Sequence, residues 1–248
     1  MKSFIPWIGG KSLLAKKITA EFPQGSSSQD FGRYIEVFGG GASVLFSTDR
    51  HAKFEVYNDA NGDLVNLFRC LKYHREELQK EIRYYLNSRE MFGDIRKRLE
   101  CPGFTDIQRA AMFYVQIKIS FGADARSYGC SDRAVSVDRF AEIEKRLERV
   151  NIEHKDFEDL IKQYDRSDAL FYCDPPYHTT ERHYTEQFSE ADHYRLNSVL
   201  TALQGRFILS YNDDDFVREL YKDFNIQAVS RQNNLSAGQF KELIIKNY

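Results

Sequence analysis

Apolar residues come in short strand-like runs at both ends of this chain, and in the three-to-four-residue rhythm of helices through its middle. Leu13, Leu14 and Ile18 predict a helix over Ser12–Glu21, entered through the glycine turn Trp7-Ile8-Gly9-Gly10-Lys11. Pro23 to Gly32 is polar and serine-rich and reads as a loop. Arg33–Phe38 predicts a short strand stopped by Gly39-Gly40-Gly41, with Ala42–Phe46 opening the next helix. Phe54–Tyr57 predicts a second strand, ended by Asn58-Asp59. From Asn61 onward, Leu64, Leu67, Phe68 and Leu71 fall at helical spacing.

From about Gly62 to Asp165 the pattern is mostly helical and heavily charged. Glu76–Leu86, Met91–Leu99, Asp106–Ile119 and Val137–Val150 are the helices it predicts, with an ordered polar loop over Ser120–Ser136. Strand character returns at Ala169–Cys173, followed at once by Asp174-Pro175-Pro176-Tyr177. A helix over Ser189–Leu203, a strand over Arg206–Tyr211, a short helix over Asp214–Tyr221 and strands near Ile226–Val229 and Glu242–Ile245 complete the chain. Strands alternating with helices at both ends predict an α/β fold with a largely parallel sheet. The helical middle is then an insertion, giving a sheet domain from residues 1–61 and 165–248 and an insertion over 62–164. Ligands bind such sheets in the turns beyond the carboxyl ends of strands. The turns at Phe38–Gly41 and Asp174–Tyr177 qualify.

Composition narrows the field. Lysine and arginine total 35 against 37 acids, so the net charge is -2 and any basic surface must be local. No apolar run approaches the ~20 residues of a membrane span, and the N-terminus lacks the pattern of a signal peptide. The four cysteines form no CxxC pair and read as free thiols, and the six histidines lack ligand spacing, so no metal is expected. Surface or capping roles suit those histidines. Arg96-Lys97-Arg98 and Lys145-Arg146 read as solvated helix faces, one of which could touch phosphate. Gly9-Gly10-Lys11-Ser12 resembles the tail of a phosphate loop, but the motif needs a glycine where this chain has Ile5.

Three features carry chemistry. The glycines at 39–41 follow a strand and precede a helix, which suits either a cofactor turn or an ordinary glycine turn. Asp59 lies just past the second strand, where an acid binds ribose hydroxyls in dinucleotide folds or caps the following helix. Asp174-Pro175-Pro176-Tyr177 is the sharpest signal. Two prolines cannot continue a sheet, having no N–H to donate. They fix a rigid, exposed turn presenting a carboxylate, a proline carbonyl and an aromatic face. Two hydrogen-bond acceptors beside a stacking surface suit a planar substrate with an exocyclic NH2.

Taken in order, these segments resemble the DNA adenine methylases of bacteria and their phages, the Dam-like amino-methyltransferase family with the glycine motif first. Trp7–Lys11 is similar to that family's W-x-G-G-K, and Arg33–Ser43 to its E-P-F-x-G-x-G-S. Tyr57–Leu64 resembles D-x-N-x-x-L, and Asp174–Tyr177 is the DPPY motif. Phe207–Asp213 is similar to the strand motif ending S-N-x-D, and Lys241–Tyr248 to the closing E-x-L-I-x-N-Y.

The resemblance implies a Rossmann-like S-adenosylmethionine-dependent methyltransferase sheet with an inserted, mostly helical target-recognition domain. It implies an adenine-specific DNA methyltransferase in a bacterial or phage-infected cytoplasm, with double-stranded DNA as partner. Asp174, Pro175, Pro176 and Tyr177 would be catalytic. Trp7, Lys11, Phe38, Gly39, Gly41, Asp59 and Asp174 would hold S-adenosylmethionine. Phe121, Arg126 and Arg133, in and beside a sequence-reading hairpin loop over Ser120–Arg126, would contact DNA. Two positions depart from the family pattern: Gly122-Ala123 stands where Asn-Gly is frequent, and Val37 where many members have proline. The target sequence and oligomeric state stay open, as does a cognate restriction endonuclease. RNA amines or protein glutamine as acceptors, and a regulator with a vestigial pocket, are the competing readings.

Overall fold

The computed structural model describes residues 1–23, 31–130, 135–178, 188–232 and 239–248. Arg133 and most of the loop read at Pro23–Gly32 lie outside the described residues. Seven strands form one sheet: β1 (Arg33–Glu36), β2 (Phe54–Asn58), β3 (Val150–Glu153), β4 (Ala169–Cys173), β5 (Arg206–Asn212), β6 (Asn225–Gln232) and β7 (Gln239–Lys246). Their order is β3-β2-β1-β4-β5-β7-β6. The first five are parallel, with Glu36 beside both Tyr57 and Tyr172. The last two form an antiparallel hairpin whose second strand, β7, inserts beside β5. The predicted α/β class and largely parallel sheet are therefore present.

Period-two alternation splits the sheet into two faces. Ile35, Val37, Phe171, Cys173, Leu209, Tyr211 and Leu243 point to a core closed by α7 (Phe157–Tyr164), α8 (Glu190–Thr201) and α9 (Asp215–Leu220). Tyr34, Leu170, Tyr172, Ile208 and Ile244 point the other way. Their core is continuous with that of α1 (Ala15–Ala20), α2 (Gly62–Tyr73), α3 (Arg75–Ile82), α4 (Arg89–Leu99), α5 (Asp106–Ile119) and α6 (Phe140–Leu147). The helical middle shares one apolar core with the sheet. At its centre is α5, with buried residues on every side from Ala110 to Ile117 and a Thr105/Gln108 capping box at its start.

Four sequence readings shift. The helical stretch ends at Leu147, because Val150–Glu153 returns to the sheet as its edge strand. Only Val150 of β3 is fully buried, since an edge strand has one neighbour, so its alternation is faint. Ala42–Phe46 does not open an α-helix: Ala42 takes φ 55, and only a 3-10 turn forms at Leu45–Ser47. His193, read as a surface or capping residue, is fully buried against the Tyr211 hydroxyl. Arg146, read as a solvated face, is buried too. Its guanidinium grips Glu55 at 2.7 and 2.9 Å and donates to the carbonyls of Leu45 and Thr48. One side chain thus ties α6 to β2 and to the segment after the glycine turn. Arg146→Ala strands a buried carboxylate and should lower the unfolding free energy by about 3–5 kcal/mol, measurable by urea denaturation.

Candidate active site

The winding reverses between β1 and β4: β1 connects outward to β2, β4 outward to β5. At such a switch point the following turns diverge and leave a crevice. Here the crevice is an open cavity. Trp7, Lys11, Phe38, Gly39, Gly41, Asp59, Asp174 and Pro176 line it, so the structure brings together the residues read as cofactor-binding. Pro175 and Tyr177 lie behind its wall, both buried.

The glycines are required by close packing. A Cβ on Gly39 would run into the Tyr57 ring, and one on Gly40, at φ +48, would sit 2.7 Å from Trp7 Cδ1. The turn is pinned from below: Gly39 N donates to the Asn58 carbonyl (2.7 Å), and Tyr57 Oη to the Gly40 carbonyl (2.8 Å). Asp59 clasps it from the side, accepting from Gly40 N at 2.7 Å and Asn61 N at 2.8 Å. The N-cap of α2 is Asn61, whose side chain accepts from Leu64 N, so Asp59 is not the cap. Phe38 packs against Phe157 and Phe188 at 5.6 and 5.9 Å between ring centres, forming an aromatic wall.

Asp174 follows β4 at the opposite lip. One carboxylate receives Lys11 Nζ at 2.7–2.8 Å and Ser210 Oγ at 2.8 Å. Lys11 is only 4% exposed and also donates to the Gly9 carbonyl at 2.9 Å. Lys11, read as a residue of the cofactor's methionine end, thus reaches Asp174 directly. The Tyr177 ring is not an exposed face: it is 7% exposed, packs beside Tyr211, and lies 4.7 Å below Lys11 Nζ. Its hydroxyl donates to Glu242 Oε2 at 3.0 Å. The turn is half-buried because β5 and β7 rise beside it.

The cavity floor holds Glu36, 1% exposed. Burial pushes its carboxyl up to about 8, against hydrogen bonds from Tyr34 Oη (2.7 Å) and the Leu45 backbone that favour the ionised form. Glu36, Ser210 and Glu242 had no assigned role in the sequence reading, though each sits inside a quoted motif. The available signal was a polar residue within an otherwise apolar strand, which needs a partner when buried.

The loop read as the DNA reader continues from α5, the most enclosed helix. It closes as a hairpin: Ser120 bridges Tyr128, Phe121 N donates to the Ser127 carbonyl and Gly129 N to that of Ile119. Gln116 anchors the Ala125 carbonyl and Arg96 the Arg126 carbonyl. Ala123 and Ala125 take φ 62 and 56, where a non-glycine residue costs ~1–3 kcal/mol. Phe121 stands 70% exposed at the tip, and Arg126 is exposed beside it. Ala123 and Arg126 line a groove that meets this cavity at Trp7, Ile8 and Asn61. Among the described residues, no group of three or more His, Cys, Asp or Glu could hold a metal ion, and no helix is long and apolar enough to cross a membrane.

The sequence matches known proteins over its whole length. It is 27% identical over 282 aligned residues to the type II methyltransferase M1.LlaDCHI of Lactococcus lactis subsp. cremoris, covering 100% of this chain and 96% of that one. It is 26% identical to the type II methyltransferase M.MjaIII of Methanocaldococcus jannaschii, covering 100% and 99%. It is 25% identical to the retron Ec67 DNA adenine methylase of Escherichia coli, covering 97% and 88%. Residues 7–235, from Trp7 across the cavity, the hairpin loop and the Asp174 turn, match one family model, and the chain belongs to that family, the D12 class N6 adenine-specific DNA methyltransferases.

Proposed function

We propose that this chain transfers the methyl group of S-adenosylmethionine to the N6 amine of adenine in double-stranded DNA, by direct transfer to a base flipped from the duplex. One observation carries the reading. A fixed carboxylate, Asp174, faces a glycine turn and an aromatic wall across a single cavity. The cavity's residues fit the cofactor. The glycines let the turn pack tightly on Tyr57 and Trp7 and so hold its backbone at the cavity, Phe38 offers a ring to an adenine, and Asp59 offers acceptors to ribose hydroxyls. Lys11 and Trp7 border the methionine end.

Bound S-adenosylmethionine supplies an electrophilic methyl group on a sulfonium, which needs no metal for activation. The chain's own residues prepare the nucleophile. The lone pair of the adenine amine is delocalised into the ring. Asp174 Oδ and the Pro175 carbonyl accept its two N–H groups, drawing the nitrogen toward tetrahedral geometry and freeing the lone pair; the surplus proton on the methylated nitrogen then leaves along the hydrogen bond to Asp174 and passes to solvent. Lys11 and Ser210 prevent the carboxylate from turning away, so acceleration comes from positioning and preorganised dipoles. Extruding the base costs ~a few kcal/mol; the buried Tyr177 ring, its hydroxyl on Glu242, backs the turn that receives it. Pro176 keeps the turn rigid.

Residues 1–61 and 165–248, with β3 and α7 from the end of the 62–164 stretch, which belong to the sheet and its core, would carry this chemistry, and the rest of 62–164 the reading of sequence, through Phe121, Arg126 and Arg133. The rigid hairpin and its exposed aromatic tip support that division. The reaction's place is the cytoplasm of a bacterial or phage-infected cell, where the DNA is. Family membership favours DNA over RNA or protein glutamine, and the fully assembled Asp174 site favours an enzyme over a vestigial regulator. Transfer of labelled methyl groups to DNA, RNA and protein in parallel tests the choice. Label on RNA or protein alone would reject the reading.

Three outcomes are expected. Asp174→Ala, assayed at saturating cofactor, should lose ~10²–10³-fold or more in single-turnover transfer; a rate within about tenfold of wild type rejects the role given to Asp174. Asp59→Ala should weaken S-adenosylmethionine binding by ~1.5–3 kcal/mol in calorimetry, and Lys11→Ala should act in the same direction. Arg126→Ala should separate two kinds of contact. Loss of a base contact costs ~1–3 kcal/mol and relaxes specificity at one position, whereas loss of a phosphate contact weakens all sequences and flattens the salt dependence.

A further inference from the structure

Acids and cations are nearly balanced in this chain, 37 against 35. Over α7, α8 and α9 the surface cations sit on acids: Lys162 on Glu158, Arg195 on Asp192 and Arg218 on Asp213. Helix α4 differs. Its Arg89, Arg96 and Lys97 are exposed, as is Arg126 on the hairpin beside it, and among the described residues none of the four is in an ion pair. The acids of the same helix, Glu90 and Asp94, and Glu100 at its C-cap, close no ion pair with them. What these cations do touch is uncharged. Arg96 Nη1 donates to the Arg126 carbonyl at 3.0 Å, and the Arg89 guanidinium lies 5.2 Å from the centre of the Tyr128 ring. A positive strip therefore runs along α4, fixed to the hairpin and not neutralised.

Residues 89, 93, 96 and 97 fall on one side of α4, since neighbours on a helix surface are three and four positions apart. Between the cations on that side stands Gly93. A glycine inside a helix is unfavourable, and nothing in the fold requires one here. A Cβ at Gly93 would meet no atom within 4 Å beyond its chain neighbours and the helix backbone. Bare backbone of this kind lets an external ligand come close. Arg96 and Lys97 stand in the last turn, where cations suit the helix dipole, but Arg89 opens the first turn, where a cation opposes it. Helix stability thus accounts for neither Gly93 nor Arg89.

We propose that this side of α4 docks the phosphate backbone of the DNA beside the target site, with Arg89, Arg96 and Lys97 as phosphate contacts and Gly93 as the notch that admits the strand. The inference rests on the reading of DNA as substrate. From residue 89 to 97 the helix runs about 12 Å, about the rise of three or four phosphates along one strand. Phosphate contacts set register and orientation without reading bases. Because Arg96 also holds the Arg126 carbonyl, a strand seated on α4 fixes the duplex against the hairpin and the groove that leads to the cavity. A chain of net charge -2 has no global field to hold DNA, so a local strip must supply the attraction.

The test measures binding of the full chain to a fluorescent duplex of mixed sequence over a salt series, since phosphate contacts form on any DNA. Arg89→Ala and Lys97→Ala should each reduce the slope of log affinity against log salt by about 0.9 and weaken binding roughly threefold to tenfold at low salt. Preference among sequences should not change, which separates these contacts from a base-reading Arg126. Gly93→Gln puts a better helix former in the notch. It should raise the thermal unfolding midpoint and yet weaken DNA binding, with S-adenosylmethionine affinity unchanged. A residue that served only the helix would move stability and binding in the same direction. Wild-type slopes in Arg89→Ala and Lys97→Ala overturn the proposal, as does a Gly93→Gln protein that binds DNA like the wild type. Should Gly93→Gln fail to fold, the glycine serves packing and the notch is rejected. A wild-type chain that binds the duplex without salt dependence, or not at all, would reject the reading of DNA as substrate and this proposal with it, whereas normal wild-type binding with unaltered variants rejects only the part given to α4.

Discussion

The carboxylate of Asp174 is where three distant parts of the chain meet. Lys11 arrives from the N-terminal glycine turn, Ser210 from β5, and Asp174 itself from the turn after β4. Lys11 is 4% exposed and the Asp174 side chain 16%, so this ion pair is only weakly screened by solvent. Either charge left without the other would be costly at that depth. The pairing fixes the N-terminal turn against the sheet, so Trp7 can lie over Gly40 and the glycine turn can close one side of the cavity. The glycine turn and the Asp174 carboxylate thereby form one rigid unit.

The sheet determines where that unit sits. Because the winding reverses between β1 and β4, the turns after these strands diverge, and the gap between them is the cavity. The antiparallel hairpin beyond β5 then brings β7 close enough for Glu242 to reach the turn. On the opposite side, α5 delivers the hairpin loop from the most enclosed part of the helical lobe. A loop carrying two alanines at positive φ needs such support, since nothing local favours that backbone.

Much of this was legible in the chain. Short apolar runs at Arg33–Phe38, Phe54–Tyr57, Ala169–Cys173 and Arg206–Tyr211 located four strands of the parallel sheet, because central strands bury both faces and leave a dense apolar signature. The glycines and the two prolines marked the turns, because those residues dictate backbone geometry whatever surrounds them. The edge strand β3 escaped, since one neighbour buries too little of it. The exposed face expected of Tyr177 also failed, since the turn's own residues say nothing of the strands rising beside it.

Sequence alone thus determined what depends on local chemistry: the α/β alternation, the turn residues, and a carboxylate and an aromatic ring placed two prolines apart. Tertiary structure decided the partnerships. That Lys11 meets Asp174, that Arg146 is sunk on Glu55 rather than solvated, that Asp59 clasps Gly40 instead of capping α2, and that Glu242 holds Tyr177 all join residues 19 to 163 positions apart. Such contacts arise from packing elements whose relative placement no local pattern encodes, and burial then makes each pairing energetically necessary, because a polar group withdrawn from water must find its partner within the fold.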